Sequence, residues 1–353
     1  MAEQRSEPDS GRRRLLRATL WGGGLAGLGA LGGIGVKRLT QDPPAPKRPP
    51  LGPEFTYDVS RFQTSDPGLI QWRELSRFPS GLERPRNLCT TPGGHILVCG
   101  DDGIRRFDAD GRELGFSPIQ GRVHAVAVLP DESLLAGLPD QVQVIAPDGK
   151  VRAVWELEDV LPTSIAVADS RIFLADAHAR VIRVLDLEGR PLQTIGQRDP
   201  DKGIEGFVVP SPYFCVRAAP DGLLRIANPG KHTIEAWTTD GDLELAWGRA
   251  SFAIDGFCGC CNPVSFALLP DGGYVTGEKG LPRVKTYDEC GAFTGIVAGT
   301  ESFPEYVQAT QAGTPEAASA GIYVVVDAAG RVLILDAIGG TVRIMVRKED
   351  GDG

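Results

Sequence analysis

The chain has 353 residues, among them 45 Gly and 27 Pro but only two Met, a composition of many tight turns that argues against long helices. Neither Gly nor Pro is enriched enough for collagen or disorder, and the length admits one large all-β fold as readily as two ordinary domains. Of the 37 basic and 46 acidic residues, nine and four fall within residues 1–50, so residues 51–353 carry 28 against 42, a net of −14; that argues against nucleic acid or anionic lipid as the main partner of the folded part.

In chain order, the first element is an export or anchoring segment. Gly11-Arg12-Arg13-Arg14-Leu15-Leu16-Arg17 precedes a Gly-rich apolar run, Ala18 to Val36. Paired Arg12 and Arg13, two apolar positions, a further basic residue and mild hydrophobicity resemble a twin-arginine export signal. The run of 19 residues would span about 28 Å as a helix, which just crosses a hydrocarbon core. No clear Ala-x-Ala site follows it, and five Arg before the span favour a cytoplasmic N-terminus. The expected organisation is a basic n-region over 1–17, a signal or transmembrane helix over 18–36, and a Pro-rich spacer over 37–53. An uncleaved anchor would place the folded part on the extracytoplasmic side of a bacterial cytoplasmic membrane; a cleaved signal would release it into the periplasm or medium.

The rest of the chain repeats. Asp108-Ala109-Asp110-Gly111 recurs in variant form as Ala146-Pro147-Asp148-Gly149, Asp186-Leu187-Glu188-Gly189, Thr238-Thr239-Asp240-Gly241 and Asp288-Glu289-Cys290-Gly291, the glycines 38, 40, 52 and 50 residues apart. Gly suits the left-handed position of such a turn, and Asp caps it with its side chain. A second turn precedes each marker, at Pro92-Gly93-Gly94, Pro130-Asp131-Glu132, Ala168-Asp169-Ser170, Pro220-Asp221-Gly222 and Pro270-Asp271-Gly272, with a sixth at Ala328-Ala329-Gly330. Each leads into a short apolar strand. Four strands per repeat predict the blades of an all-β, six-bladed β-propeller over 54–349. The last unit stops after Val342 to Val346, one strand short, and Leu69 to Leu75 is expected to supply the missing strand and close the ring.

The segment Ala175 to Gly189, read as ADAHARVIRVLDLEG, resembles the NHL-repeat family of six-bladed propellers, and the other units resemble it more loosely across residues 85–348. The resemblance implies an architecture rather than an activity, since NHL-like propellers include binding scaffolds, lyases and lactonase relatives.

Propeller geometry sorts the chemistry by face. Three long connections, Gln197–Val209, Arg249–Cys261 and Gly299–Ala320, fall on the upper face and are expected to wall one side of it. The middle one carries Gly256-Phe257-Cys258-Gly259-Cys260-Cys261-Asn262-Pro263. Three thiols within four residues suit a disulfide that pins the loop, a soft-metal site for Cu(I) or zinc, or thiol–disulfide exchange. His232 is the histidine expected to approach this loop, making Cys258, Cys260, Cys261 and His232 the candidate metal set. Cys290 belongs to the opposite face, and Cys89, Cys99 and Cys215 read as core fillers. His178, on the upper face, reads as a loop histidine. Glu278 and Lys279 read as a solvated ion pair, and the stretch from the cysteine loop through Lys285 resembles an element of exported bacterial NHL-like proteins.

Three functions compete at this level. The leading expectation is a membrane-tethered binding or scaffold propeller that presents Asp176, His178, Asn228, Glu278, Lys279 and Asp336 to a protein or small-molecule ligand, with no catalytic set required. The second is a metal or thiol-redox accessory protein built on the cysteine loop. The third is a lactonase- or lyase-like enzyme holding a metal such as calcium in the central channel through Asp176, Asn228, Glu278 and Asp336.

Overall fold

The computed structural model describes residues 62–349. The signal or anchor with Arg12 and Arg13, and the linker, lie outside them. Among the described residues no helix is long and apolar enough to cross a membrane.

Twenty-four strands form six four-stranded antiparallel sheets. After β1 (Trp72–Pro79), blade 1 is built from β2 (Pro85–Thr90), β3 (Ile96–Gly100), β4 (Gly103–Phe107) and β5 (Glu113–Pro118). Blade 2 holds β6 (Ala125–Val128), β7 (Leu134–Leu138), β8 (Gln141–Ile145) and β9 (Val151–Glu156). Blade 3 holds β10 (Pro162–Ala168), β11 (Arg171–Asp176), β12 (Val181–Asp186) and β13 (Pro191–Ile195). Blade 4 holds β14 (Val216–Ala218), β15 (Leu224–Asn228), β16 (Thr233–Trp237) and β17 (Leu243–Trp247). Blade 5 holds β18 (Ser265–Leu268), β19 (Tyr274–Gly277), β20 (Val284–Tyr287) and β21 (Phe293–Ala298). Blade 6 takes β22 (Ile322–Val326), β23 (Val332–Asp336) and β24 (Thr341–Arg347) and is completed by β1, which pairs with β24 from Trp72↔Arg347 to Pro79↔Thr341 around a bulge at Leu75.

Burial explains the order of strands. The second strands of blades 1, 2 and 6 are buried at every position, because blades pack on both their faces, whereas the outermost strands β5, β9 and β17 are exposed along most of their length. The core is accordingly divided into six layers, each between neighbouring blades. Leu97, Cys99 and Ile104 of blade 1 meet Val126 and Leu134 of blade 2, for example, and Phe78 and Leu333 of blade 6 meet Val98 and Phe107 of blade 1.

The repeat marker has two physical causes. In four of these five turns the first residue caps the loop, as where Asp186 Oδ1 accepts from the backbone N–H groups of Glu188 and Arg190. The closing glycines also lack room for a side chain at alternate blades. A Cβ on Gly111, Gly189 or Gly291, all at positive φ, would enter the ring of Phe78, Trp155 or Trp247, contributed by the outer strand of the preceding blade.

Two sequence expectations are corrected. The closing strand begins at Trp72 rather than Leu69, because Asp66 caps a short 3-10 turn over Pro67–Leu69 and delays the extended run. The long connection after blade 5 is not a plain loop; it carries α1 (Pro304–Gln311) and α2 (Pro315–Ser319), each started by proline at its first turn.

Candidate functional site

The residues at the upper ends of the second strands are structural caps. Asp176, fully buried, accepts from the backbone N–H groups of Leu161, His178 and Ala179 through Oδ1 and from Arg183 through Oδ2 at 2.8 Å. Asn228 Oδ1 accepts from Val208 N–H, while its Nδ2 donates to Glu235. Asp336 Oδ1 accepts from Ile338 and Gly339. These oxygens fasten loops within or beside their own blades. Among the described residues no three His, Cys, Asp or Glu side chains are placed to hold a metal ion.

Glu278 departs from this pattern. It is fully buried and is not a solvated partner of Lys279: Arg283 Nη2 lies 2.8 Å from Oε2 and Lys285 Nζ 2.7 Å from Oε1, with all three side chains nearly inaccessible. Burial pushes the Glu278 carboxyl upward, but Lys285 and then Arg283 outweigh it and hold it below its ordinary value. Lys279 instead places its ammonium 4.4 Å from the centre of the Tyr213 ring.

The buried triad clamps the cysteine loop. Lys285 Nζ donates to the carbonyls of Ile254 and Gly256 at 2.9 and 2.6 Å, and Arg283 donates to that of Phe252. Phe257 anchors the same loop against Trp247 and Tyr287. Asn262 Nδ2 donates to the carbonyls of Cys258 and Lys279, and its Oδ1 accepts from Lys279 N–H. His232 reaches the loop as expected, its Nε2 lying 2.7 Å from the Gly259 carbonyl.

That proximity does not create the expected Cu(I) or zinc set. Cys258 Sγ faces Glu278 Oε2 at 3.7 Å, Cys260 and Cys261 face each other at 3.5 Å, and the bonded His232 nitrogen is turned to the backbone. All seven cysteines are unbridged. Cys290 is exposed at its C–D turn, while Cys99 and Cys215 are buried and Cys89 is half-buried. His178 pairs through Nδ1 with Asp159 at 3.0 Å on the surface.

The concave site lies on the axis instead. At the upper mouth of the channel a cavity of about 440 Å³ is lined by the entries to the inner strands, and its basic groups are Arg84, Arg86, Arg122 and Arg217, with His124 beside them. No Asp or Glu lines it. Asp101 stands behind the rim, bonded to Arg86 Nε and 4.0 Å from Arg84. Four guanidinium groups against one neighbouring carboxylate give this mouth a positive charge within an acidic chain. Burial, with the charges of Arg86 and Arg122 acting in the same direction, lowers the His124 pKa to about 4, so its imidazole is neutral at neutral pH.

The lining also includes Tyr213, Val264 and Tyr323, and Phe214, whose ring packs on Phe207 in the core between blades 3 and 4. Tyr213 is held by a hydrogen bond from its hydroxyl to the Ala320 carbonyl in the long connection after blade 5. The floor is fixed by Asn87, which reaches from blade 1 to donate to the carbonyls of Thr163 and His124, and by Arg217, which donates to Ser164 Oγ at 3.0 Å. Both also roof a second cavity, of about 500 Å³, in the lower channel. The upper mouth is therefore a cup that sets arginines beside tyrosines.

Sequence reasoning missed this cup. Its arginines come from Arg84-Pro85-Arg86, Gly121-Arg122 and Val216-Arg217, three short stretches with no shared motif, and the only local signal was basic residues at the entries to inner strands.

Solved structures of the same shape were found in number, 1026 chains in all. A streptogramin B lyase superposes with a TM-score of 0.53 and 13% identity, over 78% of this chain and 98% of that one. A virginiamycin B lyase from Staphylococcus aureus gives 0.52 at 12% identity, over 78% and 100%. The WD40 domain of Neurospora crassa Pan2 gives 0.53 at 10% identity, over 80% and 97%. At these identities the likeness shows the propeller fold alone. No family model matches the chain, and no curated protein matches it in sequence.

Proposed function

We propose that this protein is an extracytoplasmic binding propeller of the NHL type whose upper cup captures a small anion carrying an apolar body. The observation that carries this reading is the cup itself: four arginines, the apolar faces of Tyr213 and Tyr323 among them, and a volume of about 440 Å³ that matches small-molecule sites. Guanidinium groups suit oxyanions through paired N–H donors, and a recessed positive site in an otherwise acidic surface concentrates anions locally. The twin-arginine-like order at Arg12 and Arg13, followed by the apolar run and the Pro-rich spacer, supports delivery to the outer side of a bacterial membrane, either tethered or released.

Benzenesulfonate, which stays ionised, and the neutral benzenesulfonamide test the cup by calorimetric titration. Benzenesulfonate is expected to bind more tightly, to weaken with added salt, and to lose about tenfold in affinity in the Arg84→Ala/Arg122→Ala double variant with the melting temperature unchanged. Equal binding of the two probes, or a double variant that binds as wild type does, would overturn the proposal. Export is tested separately: Arg12→Lys/Arg13→Lys is expected to retain the chain in the cytoplasm, and normal export of that variant would refute the signal reading.

A further inference from the structure

We propose that Cys260 and Cys261 form a thiol–disulfide exchange site, cycling between two free thiols and a disulfide between neighbouring residues, with an external disulfide as the oxidising substrate. The reading is independent of the arginine cup. It rests on how the structure divides the three cysteines of one loop.

Cys258 is withdrawn from reaction. It is buried, its Sγ faces the Glu278 carboxylate, and burial followed by that negative charge pushes its thiol up to about 11. Cys260 is exposed and Cys261 almost wholly buried, with their sulfurs 3.5 Å apart. One sulfur is therefore open to an incoming disulfide, and the other stands behind it, shielded from the same attack. The backbone between fixed points is held on both sides: Gly256 by Lys285, Gly259 by His232, and Cys258 with Lys279 by Asn262. This clamping keeps the pair in register without bonding either sulfur to a third group.

The exchange balances in two steps. The Cys260 thiolate attacks one sulfur of the external disulfide; that S–S bond breaks, and its other sulfur leaves as a thiolate that takes up a proton. The Cys261 thiolate then attacks Cys260 Sγ, forming the Cys260–Cys261 bond and expelling the second external thiol. Two electrons and two protons have passed from the cysteine pair to the disulfide, which is reduced to two thiols.

Neighbouring residues have Cα atoms about 3.8 Å apart, below the ~4.4–6.8 Å usual for disulfides, so the oxidised ring is strained and readily reduced. The pair therefore belongs to the labile, exchanging class rather than to structural cross-links. Proton sharing with Cys261, and then burial, hold the Cys260 thiol above its ordinary value while Lys279 acts in the opposite sense. The exchange rate accordingly climbs with pH across the neutral and mildly alkaline range.

The test uses the full chain, reduced and freed of reductant, then exposed to oxidised glutathione, quenched in acid, unfolded and alkylated. In the tryptic peptide from Ala250 to Lys279, two hydrogens are expected to be lost, with Cys258 alone alkylated and the thiols restored by reduced glutathione. Cys261→Ser is expected to trap glutathione on Cys260, and Cys258→Ser to form the bond as wild type does. Persistence of all three thiols, a bond that uses Cys258, or glutathione retained on Cys260 in the wild-type chain would overturn the proposal. The wild-type peptide map decides the matter even if a variant misfolds.

Discussion

Replacing Lys285 by methionine removes the central donor of the loop clamp while keeping most of the side-chain volume. The substitution deletes an ion pair of 2.7 Å to Glu278 and two hydrogen bonds to the carbonyls of Ile254 and Gly256, all at a fully buried nitrogen. Breaking a buried pair costs about 3–5 kcal/mol when one charge is left alone. Here Arg283 still neutralises Glu278, but two loop carbonyls lose their donor at about 1–3 kcal/mol each, so a net loss of roughly 3–5 kcal/mol is expected. At roughly 2–4 °C per kcal/mol for a domain of this order, scanning calorimetry should show the melting temperature lowered by roughly 10 °C. Native alkylation should also reach Cys258, which the clamped loop covers. The loss depends on pH in a defined direction. Because the Glu278 carboxyl lies below its ordinary value, its stabilisation is present above about pH 4.3 and is lost as pH falls through the folded value. The gap between wild type and variant should narrow in that range. A melting temperature within about 2 °C of wild type, with Cys258 still protected, would refute the clamp.

Gly189→Ala should destabilise by about 2–4 kcal/mol in chemical denaturation, since it forces a side chain both into positive φ and against the Trp155 ring. Gly222→Ala, at a similar φ but with open space around it, should cost only the smaller backbone part, about 1 kcal/mol. Asp336 is pushed up chiefly by burial, against the N–H groups that lower it, so its charge opposes folding above the folded value. Asp336→Asn keeps the Oδ1 acceptor and should raise the melting temperature at neutral pH, an advantage that fades as pH falls toward about 4. His124, neutral until about pH 4, predicts benzenesulfonate binding that is flat from about pH 6 to 8 and tightens toward pH 4, where the imidazole gains its charge; titration calorimetry across that range checks it.

The architecture was legible because a propeller writes its geometry into local chemistry. Turn glycines at positive φ recur from blade to blade, with capping aspartates such as Asp108 and Asp288 and largely apolar second strands, and the shortfall after β24 called for a strand from the N-terminal side. The site was less legible. His232, in a loop of blade 4, was correctly brought to the cysteine loop that follows that blade, but Cys258 faces Glu278 only because Glu278, Arg283 and Lys285 are buried together. Sequence spacing treats Glu278 and Lys279 as neighbours; the end of β19 sends one inward and the other across Tyr213. The arginine cup required closure of the ring, because Arg84 and Arg217 are more than a hundred residues apart and meet only around the axis.

The most direct measurement is the location of 4-bromobenzenesulfonate by anomalous diffraction from crystals of the propeller. The account predicts one bromine peak in the upper cup, against Tyr213 or Tyr323, with the sulfonate turned toward the arginines that line it. Bromine only at the outer blade surface or in the lower channel, with the upper cup empty at a saturating concentration of the probe, would contradict it.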